Sequence, residues 1–241
     1  MKDQYFGDIR DLFKYDLIKS IIEQTGTFQG TSIIPMLTKY EERSDGNKRD
    51  FEIAKKNNRP GTFNTNLIRF LEPYKENEVK KRQIKDIGIY FKSICLNTIF
   101  YEGKDDTKYF ENKIRSEYFS NVPVKMLTKS LIFVDPDIGL QIKKSTEKHL
   151  NFEEVKYLYN HMDENSILMI YQHFPRNRKN NDYMPEGRSK KLMEICVDKP
   201  IYISDNEIMF FFLAKNKINR DKLAQVISNY KYSYKNLTIG M

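Results

Sequence analysis

Three short polar clusters hold residue types that can do chemistry. Asp135-Pro136-Asp137-Ile138-Gly139 sets two carboxylates just beyond an apolar run, with Pro136 stiffening the chain and Gly139 permitting a tight bend. Such a pair can hold a metal, serve as acid and base, or accept hydrogen bonds from an amino group. It can equally be a strand-ending turn in which one carboxylate caps the next segment. Tyr171-Gln172-His173 closes the next apolar run, and Arg176 follows three residues later. His173 is one of three histidines and is the side-chain type that moves a proton near neutral pH. Gln172 can read an amide or a base edge and Arg176 can pair with phosphate. The third cluster runs from Thr38 to Asp45.

All three clusters follow segments that read as buried strands. Leu131-Ile132-Phe133-Val134 is continuous and stops at Asp-Pro; Ser166 to Tyr171 and Ser32 to Leu37 are similar short apolar runs. Between them lie helical patterns. Asp8 to Gln24 carries Ile9, Leu12, Phe13, Leu17, Ile18, Ile21 and Ile22 at helical spacing and is closed by Gly26. Asn64 to Tyr74, Arg82 to Cys95, Thr107 to Phe119, Phe152 to Met162 and Asn219 to Tyr230 read as further helices, and Asn97 to Tyr101 as a strand. Ile201–Ile203 and Glu207–Leu213 fit an antiparallel pair turning at Asp205-Asn206, and the basic run from Pro175 to Gly187 reads as a mobile loop. Strands alternating with helices predict an α/β fold: a Rossmann-like, mostly parallel sheet with helices on both faces, in a single domain over 1–241. Ligands of such sheets bind beyond the carboxyl ends of the strands, where all three clusters fall.

Composition bounds the partners. Forty-one Lys and Arg against 33 Asp and Glu leave a net charge of +8, which favours phosphate-bearing partners such as nucleic acid or nucleotides. The excess is largely lysine amid many asparagines, so a general compositional bias accounts for it equally well. Cys95 and Cys196 form neither a pair nor a metal motif by spacing, residues 1–20 lack a secretory pattern, and no apolar run reaches the ~18 residues that span a bilayer. A cytoplasmic protein with no membrane partner is expected; its oligomeric state is not readable. Gly-x-Gly-x-x-Gly, a Walker loop, a Gly-x-Ser-x-Gly elbow and Cys/His zinc spacing are all missing. A PD-(D/E)xK nuclease drawn on Asp137 and Gln141-Ile142-Lys143 has too short a spacing and lacks a metal ligand.

Gly7-Asp8-Ile9-Arg10-Asp11-Leu12-Phe13-Lys14-Tyr15 resembles the opening of the S-adenosylmethionine-dependent ribosomal RNA adenine methyltransferases of the large subunit. Gly7, Asp11 and Lys14 match their Gly...Asp-x-x-Lys-His helix, with Tyr15 at the histidine position. Asp135-Pro136-Asp137 falls where that family carries Asp-Pro-Pro-Tyr, and the order of elements agrees from residue 5 to roughly 215. Asp137-Ile138 stands in place of Pro-Tyr, and Ile33-Ile34-Pro35-Met36-Leu37-Thr38 ends without Gly-x-Gly. The chain is also similar to uncharacterised bacterial proteins with a Tyr-Phe-Gly-Asp start, a Met-Leu-Thr strand end and Asp-Pro-Asp-x-Gly-Leu with Tyr-Gln-His.

The methyltransferase resemblance implies an S-adenosylmethionine pocket formed by Asp11, Lys14, Tyr15, Thr38 and Asp45, with Lys14 on the cofactor's carboxylate. It implies that Asp135 accepts a hydrogen bond from the target amino group; on their own chemistry Asp137 is expected to help orient the reacting group and His173 to move a proton. Gly139, Tyr171, Gln172 and Arg176 would meet a nucleic-acid or nucleotide substrate. The rival expectation is a metal-dependent hydrolase in which Asp135 and Asp137 bind a divalent metal, or a non-catalytic nucleic-acid-binding module on the same fold.

Overall fold

The computed structural model describes residues 1–42, 48–76, 81–103, 109–175, 179–234 and 236–241. The chain opens with helix α1 (Ile9–Thr25), whose start is fixed by the Asp8 carboxylate accepting from the N–H groups of Arg10 and Asp11. Gly26, at φ 59°, closes it in the left-handed conformation. Strand β1 (Gly30–Pro35) follows, then α2 (Phe51–Lys56), α3 (Thr65–Leu71), α4 (Ile87–Ser93) and β2 (Thr98–Phe100). Next come α5 (Arg115–Ser120), α6 (Val124–Leu127), β3 (Ser130–Asp135), β4 (Gly139–Leu140), β5 (His149–Leu150), α7 (Phe152–His161) and β6 (Ile167–His173). The chain ends with α8 (Pro185–Leu192), β7 (Ile201–Ser204), β8 (Ile208–Ala214), α9 (Lys217–Ser233) and β9 (Thr238–Gly240).

Seven strands form one sheet in the order β2-β1-β3-β6-β8-β7-β9, and β4 and β5 form a separate parallel pair. The β2, β1, β3 and β6 neighbours are parallel, whereas β8 runs antiparallel between β6 and β7, and β9 antiparallel to β7. The α/β class and the mostly parallel sheet are thus as expected, as are the adjacency of the Ser130 and Ile167 strands and the terminal antiparallel pair. Alternation along the strands divides the core in two. Ile33, Leu131, Phe133, Met169 and Phe210 pack under α1 and α9, while Ile34, Ile132, Val134, Leu168 and Phe211 pack against the side carrying α5 to α7. α1 is buried on most of its circumference, with α9 packed beside it on the same face of the sheet: Phe13 meets Phe210 edge-on and stacks on Tyr230.

Several boundaries differ from the sequence expectation. The helix expected from Thr107 begins at Arg115, after a 3-10 turn at Asn112–Ile114; residues 107 and 108 lie outside the described residues. The loop expected from Pro175 to Gly187 is not one throughout: a 3-10 turn at Asn181–Tyr183 leads into α8, with Pro185 at its first turn, where a missing N–H costs nothing. No helix among the described residues is long and apolar enough to cross a membrane.

Candidate functional site

From β1 the chain leaves toward β2 on one side, whereas β3 and β6 follow on the other, so the sheet has its switch point between β1 and β3. In open α/β sheets this is where a crevice opens at the carboxyl ends. Pro35 lies opposite Asp135, and Val134 opposite Ile170, which brings Asp135 beside Tyr171. A cleft of about 930 Å³ opens there, lined by Asp8, Asp11 and Lys14 from the start of α1, Asp135 to Ile138 after β3, and Tyr171 to Phe174 from β6.

A buried ion cluster forms its floor. Lys14 reaches from α1 to the end of β3, placing Nζ 2.9 Å from Asp135 Oδ2 and 3.2 Å from Asp11 Oδ1. Asp11 also accepts from Gly7 N at 2.8 Å, and Gly7 adopts φ 84°, which makes glycine suitable there. Burial disfavours the Lys14 ammonium, but Asp135 and Asp11 outweigh it and hold its pKa above the ordinary value. Burial raises the Asp135 carboxyl, opposed chiefly by Lys14. The second oxygen of Asp135, Oδ1, accepts no hydrogen bond from the described residues, so it remains able to take one from a ligand. Asp8 is pushed up to about 7 by burial and by the neighbouring Asp11.

Asp137 has a different setting two residues on. Thr38 Oγ1 donates to its Oδ2 at 3.1 Å, with Lys2 Nζ at 3.5 Å and the amino group of Met1 3.6 Å from Oδ1. Burial would raise the carboxyl, but these positive charges and the hydroxyl keep it below its usual value. Asp137 and Thr38 therefore tie the segment after β1 to the one after β3; both carboxylates line the cleft, and among the described residues Asp135 alone of the pair has an oxygen with neither a hydrogen bond nor an ion pair.

Tyr171 and His173, on the same face of β6, form one unit, the phenol oxygen lying 3.0 Å from His173 Nε2. The Tyr171 ring also lies 4.9 Å from Lys14 Nζ. Burial and the nearby Arg10 charge pull the His173 pKa down to about 3, so its imidazole is neutral near pH 7. It stands beside Tyr171 as a neutral hydrogen-bonding ring. Gln172 points to the opposite face and spends its amide on the protein: Oε1 accepts from Leu140 N at 2.7 Å and Nε2 donates to His173 O at 2.5 Å. Its amide covers Gly139, at φ 140°, where a Cβ would overlap it. Gly139 and Gln172 thus hold β4 onto β6 rather than presenting free groups to a substrate.

Tyr15 departs from the expected pocket. Its ring packs edge-on to Phe91 and against Phe6 in the core beneath α1, away from the cleft lining, and its hydroxyl has no partner among the described residues. Asp45 and Arg176 lie outside the described residues. Sequence reasoning also missed several lining residues, among them Arg10, Tyr183, Arg188 and Glu207. Glu207 gathers Arg10 at 3.1 Å, Lys48 at 2.8 Å and Arg59 at 3.1 Å, which overcome its burial and lower its pKa to about 2. Pro185 at a first helical turn was the available signal for α8 and hence for Arg188.

The donor set separates the possible ligands. Asp8, Asp11 and Asp135 face Lys14 and Arg10, and Arg10 is shared with Glu207, so this wall suits a cation or an amino group better than a carboxylate. Lys14, already held by two carboxylates, is therefore placed to orient Asp135 rather than to bind a carboxylate. Among the described residues no group of three His, Cys, Asp or Glu side chains is arranged to hold a metal ion. No protein-family model, curated protein or solved structure matches the chain.

Proposed function

We propose that this chain is a methyltransferase-like enzyme that binds S-adenosylmethionine, or a related nucleoside, in the β1–β3 crevice and acts on a nucleotide or nucleic acid. The observation that carries this reading is Asp135: buried at the switch point, fixed through Oδ2 by Lys14, with Oδ1 unengaged. S-adenosylmethionine supplies an electrophilic methyl group when bound, and its sulfonium and ammonium charges suit the carboxylate-rich wall of Asp8, Asp11 and Asp135. Lys14 holds Asp135 in one rotamer, and Asp135 Oδ1 accepts a hydrogen bond from the amino group to be modified. The neutral Tyr171–His173 pair forms the adjoining wall and positions the acceptor through hydrogen bonds.

The metal-hydrolase alternative fits less well, because Asp135 and Asp137 are bound by different cations and bring no third donor. Incubation with methyl-labelled S-adenosylmethionine and a mixture of nucleotides, RNA and DNA tests the proposal. Label should enter the acceptor with the wild-type protein and fall by about 100-fold or more with Asp135→Asn, the scale expected when a positioned catalytic group is lost. Equal incorporation by the variant would remove Asp135 from the chemistry. Cleavage of the acceptor that stops in chelator would favour the hydrolase.

A further inference from the structure

Where α8 lines the cleft stands a buried cation that no described carboxylate reaches within ion-pair distance, although the Asp182 charge acts on it. Arg188, on α8, is 1% exposed, and its guanidinium lies under the end of β4, where Nη2 donates to Leu140 O at 3.2 Å and Nη1 to Gln141 O. Among the described residues its Nε has no acceptor. The Tyr183 ring lies 4.8 Å from Cζ, and both residues line the cleft. Other cleft cations are neutralised: Lys14 by Asp135 and Asp11, Arg10 by Asp8 and Glu207, Lys2 by Glu41 and Asp137. Among the described residues no carboxylate forms an ion pair with Arg188. A guanidinium taken out of water without a counter-ion is costly, and two carbonyls use only part of its five-donor fork. Burial accordingly pulls its pKa down to about 10.

We infer that Arg188 anchors a phosphate of the substrate, with Tyr183 offering a flat surface beside it. The inference rests on reading this cleft as the ligand site, but not on methyl transfer. A guanidinium fork matches phosphate oxygens, and the cleft is large enough for a nucleotide-sized ligand. The cleft is then polarised, with the carboxylate-rich wall around Asp135 facing the cationic or amino end of the ligands and Arg188 facing the anionic end.

The test is calorimetric titration of the full chain with adenosine 5′-monophosphate, adenosine and a single-stranded trinucleotide, for the wild type, Arg188→Met and Arg188→Lys. The monophosphate should bind the wild type about 10-fold or more tightly than adenosine, as a charge-assisted contact gives. That preference should vanish in Arg188→Met and fall partway in Arg188→Lys, which keeps the charge but loses the fork. The wild-type ratio and Arg188→Lys decide the matter if Arg188→Met fails to fold. Tighter binding of the trinucleotide than of the monophosphate assigns the phosphate to a strand, and the reverse order to a free nucleotide. Equal binding of nucleotide and nucleoside by the wild type, no binding of any probe, or a preference that survives in Arg188→Met overturns the inference. A parallel S-adenosylmethionine titration separates the two claims: phosphate preference without cofactor binding leaves Arg188 in place and removes methyl transfer, and the converse removes only Arg188.

Discussion

Replacing Lys14 by Met keeps the unbranched side chain, one atom shorter, and removes its charge, leaving Asp135 and Asp11 buried at the floor of the cleft without a cation between them. Breaking a buried pair from one side costs about 3–5 kcal/mol, because the remaining charge is desolvated and unpaired. At this chain length roughly 2–4 °C of Tm follow each kcal/mol, so Lys14→Met should melt about 6–20 °C below the wild type at pH 7. The loss should shrink toward acid pH, since burial already raises the Asp135 carboxyl and, with the opposing Lys14 charge gone, it gains a proton more readily in the folded state. Adding Asp135→Asn should recover about half, because Asp11 keeps the Gly7 N–H but still lacks a counter-charge. Calorimetric melting of the wild type, single and double variants between pH 5 and pH 8 reads all of this. A single variant melting within about 2 °C of the wild type, or a double variant no better than the single, would show that the Lys14–Asp135 contact does not hold the floor of the site together.

His173 has a folded pKa of about 3, below its ordinary 6.5, so its contribution to stability is complete above pH 6.5 and is lost as pH falls toward 3. His173→Gln should flatten the acid decline of stability over that window by up to ~1.4 kcal/mol per pH unit, measured by urea unfolding. An imidazole proton signal titrating near pH 6.5 would contradict it. Gly139→Ala should destabilise the fold by about 2–3 kcal/mol, because a Cβ there meets the Gln172 amide at a backbone φ of 140°. Gln172→Ala should relieve the steric part of that loss but not the backbone part, and complete additivity of the two changes in urea melts would refute the clash.

The continuous apolar runs ending in Asp135 and His173 made the β3–β6 end of the sheet legible, since strands buried on both faces read without alternation. The Lys14–Asp135 pair joins residues 121 positions apart, and no local pattern predicts it; only the resemblance of the opening helix placed Lys14 near the site. Tyr15 enters the expected pocket only through its place at the histidine position of the resembling helix, whereas a one-residue step from Lys14 turns a side chain by about 100° and here turns it into the core. Gln172 reads in sequence as a group able to meet an amide or a base edge, because periodicity does not reveal that β4 folds back onto β6. Arg188 stayed hidden because the Asn-, Arg- and Lys-rich run before it reads as loop, and the short α8 presents only Leu192 as a strong apolar marker.

The most direct test of the central claim is calorimetric titration of the wild-type protein with S-adenosylmethionine and S-adenosylhomocysteine, with Asp135→Asn and Lys14→Met confirmed as folded before use. Saturable one-to-one binding of both ligands is the predicted result, weakened about 10-fold or more in Asp135→Asn through loss of one charge-assisted contact with the ligand's ammonium group, and in Lys14→Met because Asp135 is no longer held in place. Absence of binding by well-folded wild-type protein, or unchanged affinity in both variants, would contradict a nucleoside-cofactor site at the β1–β3 crevice.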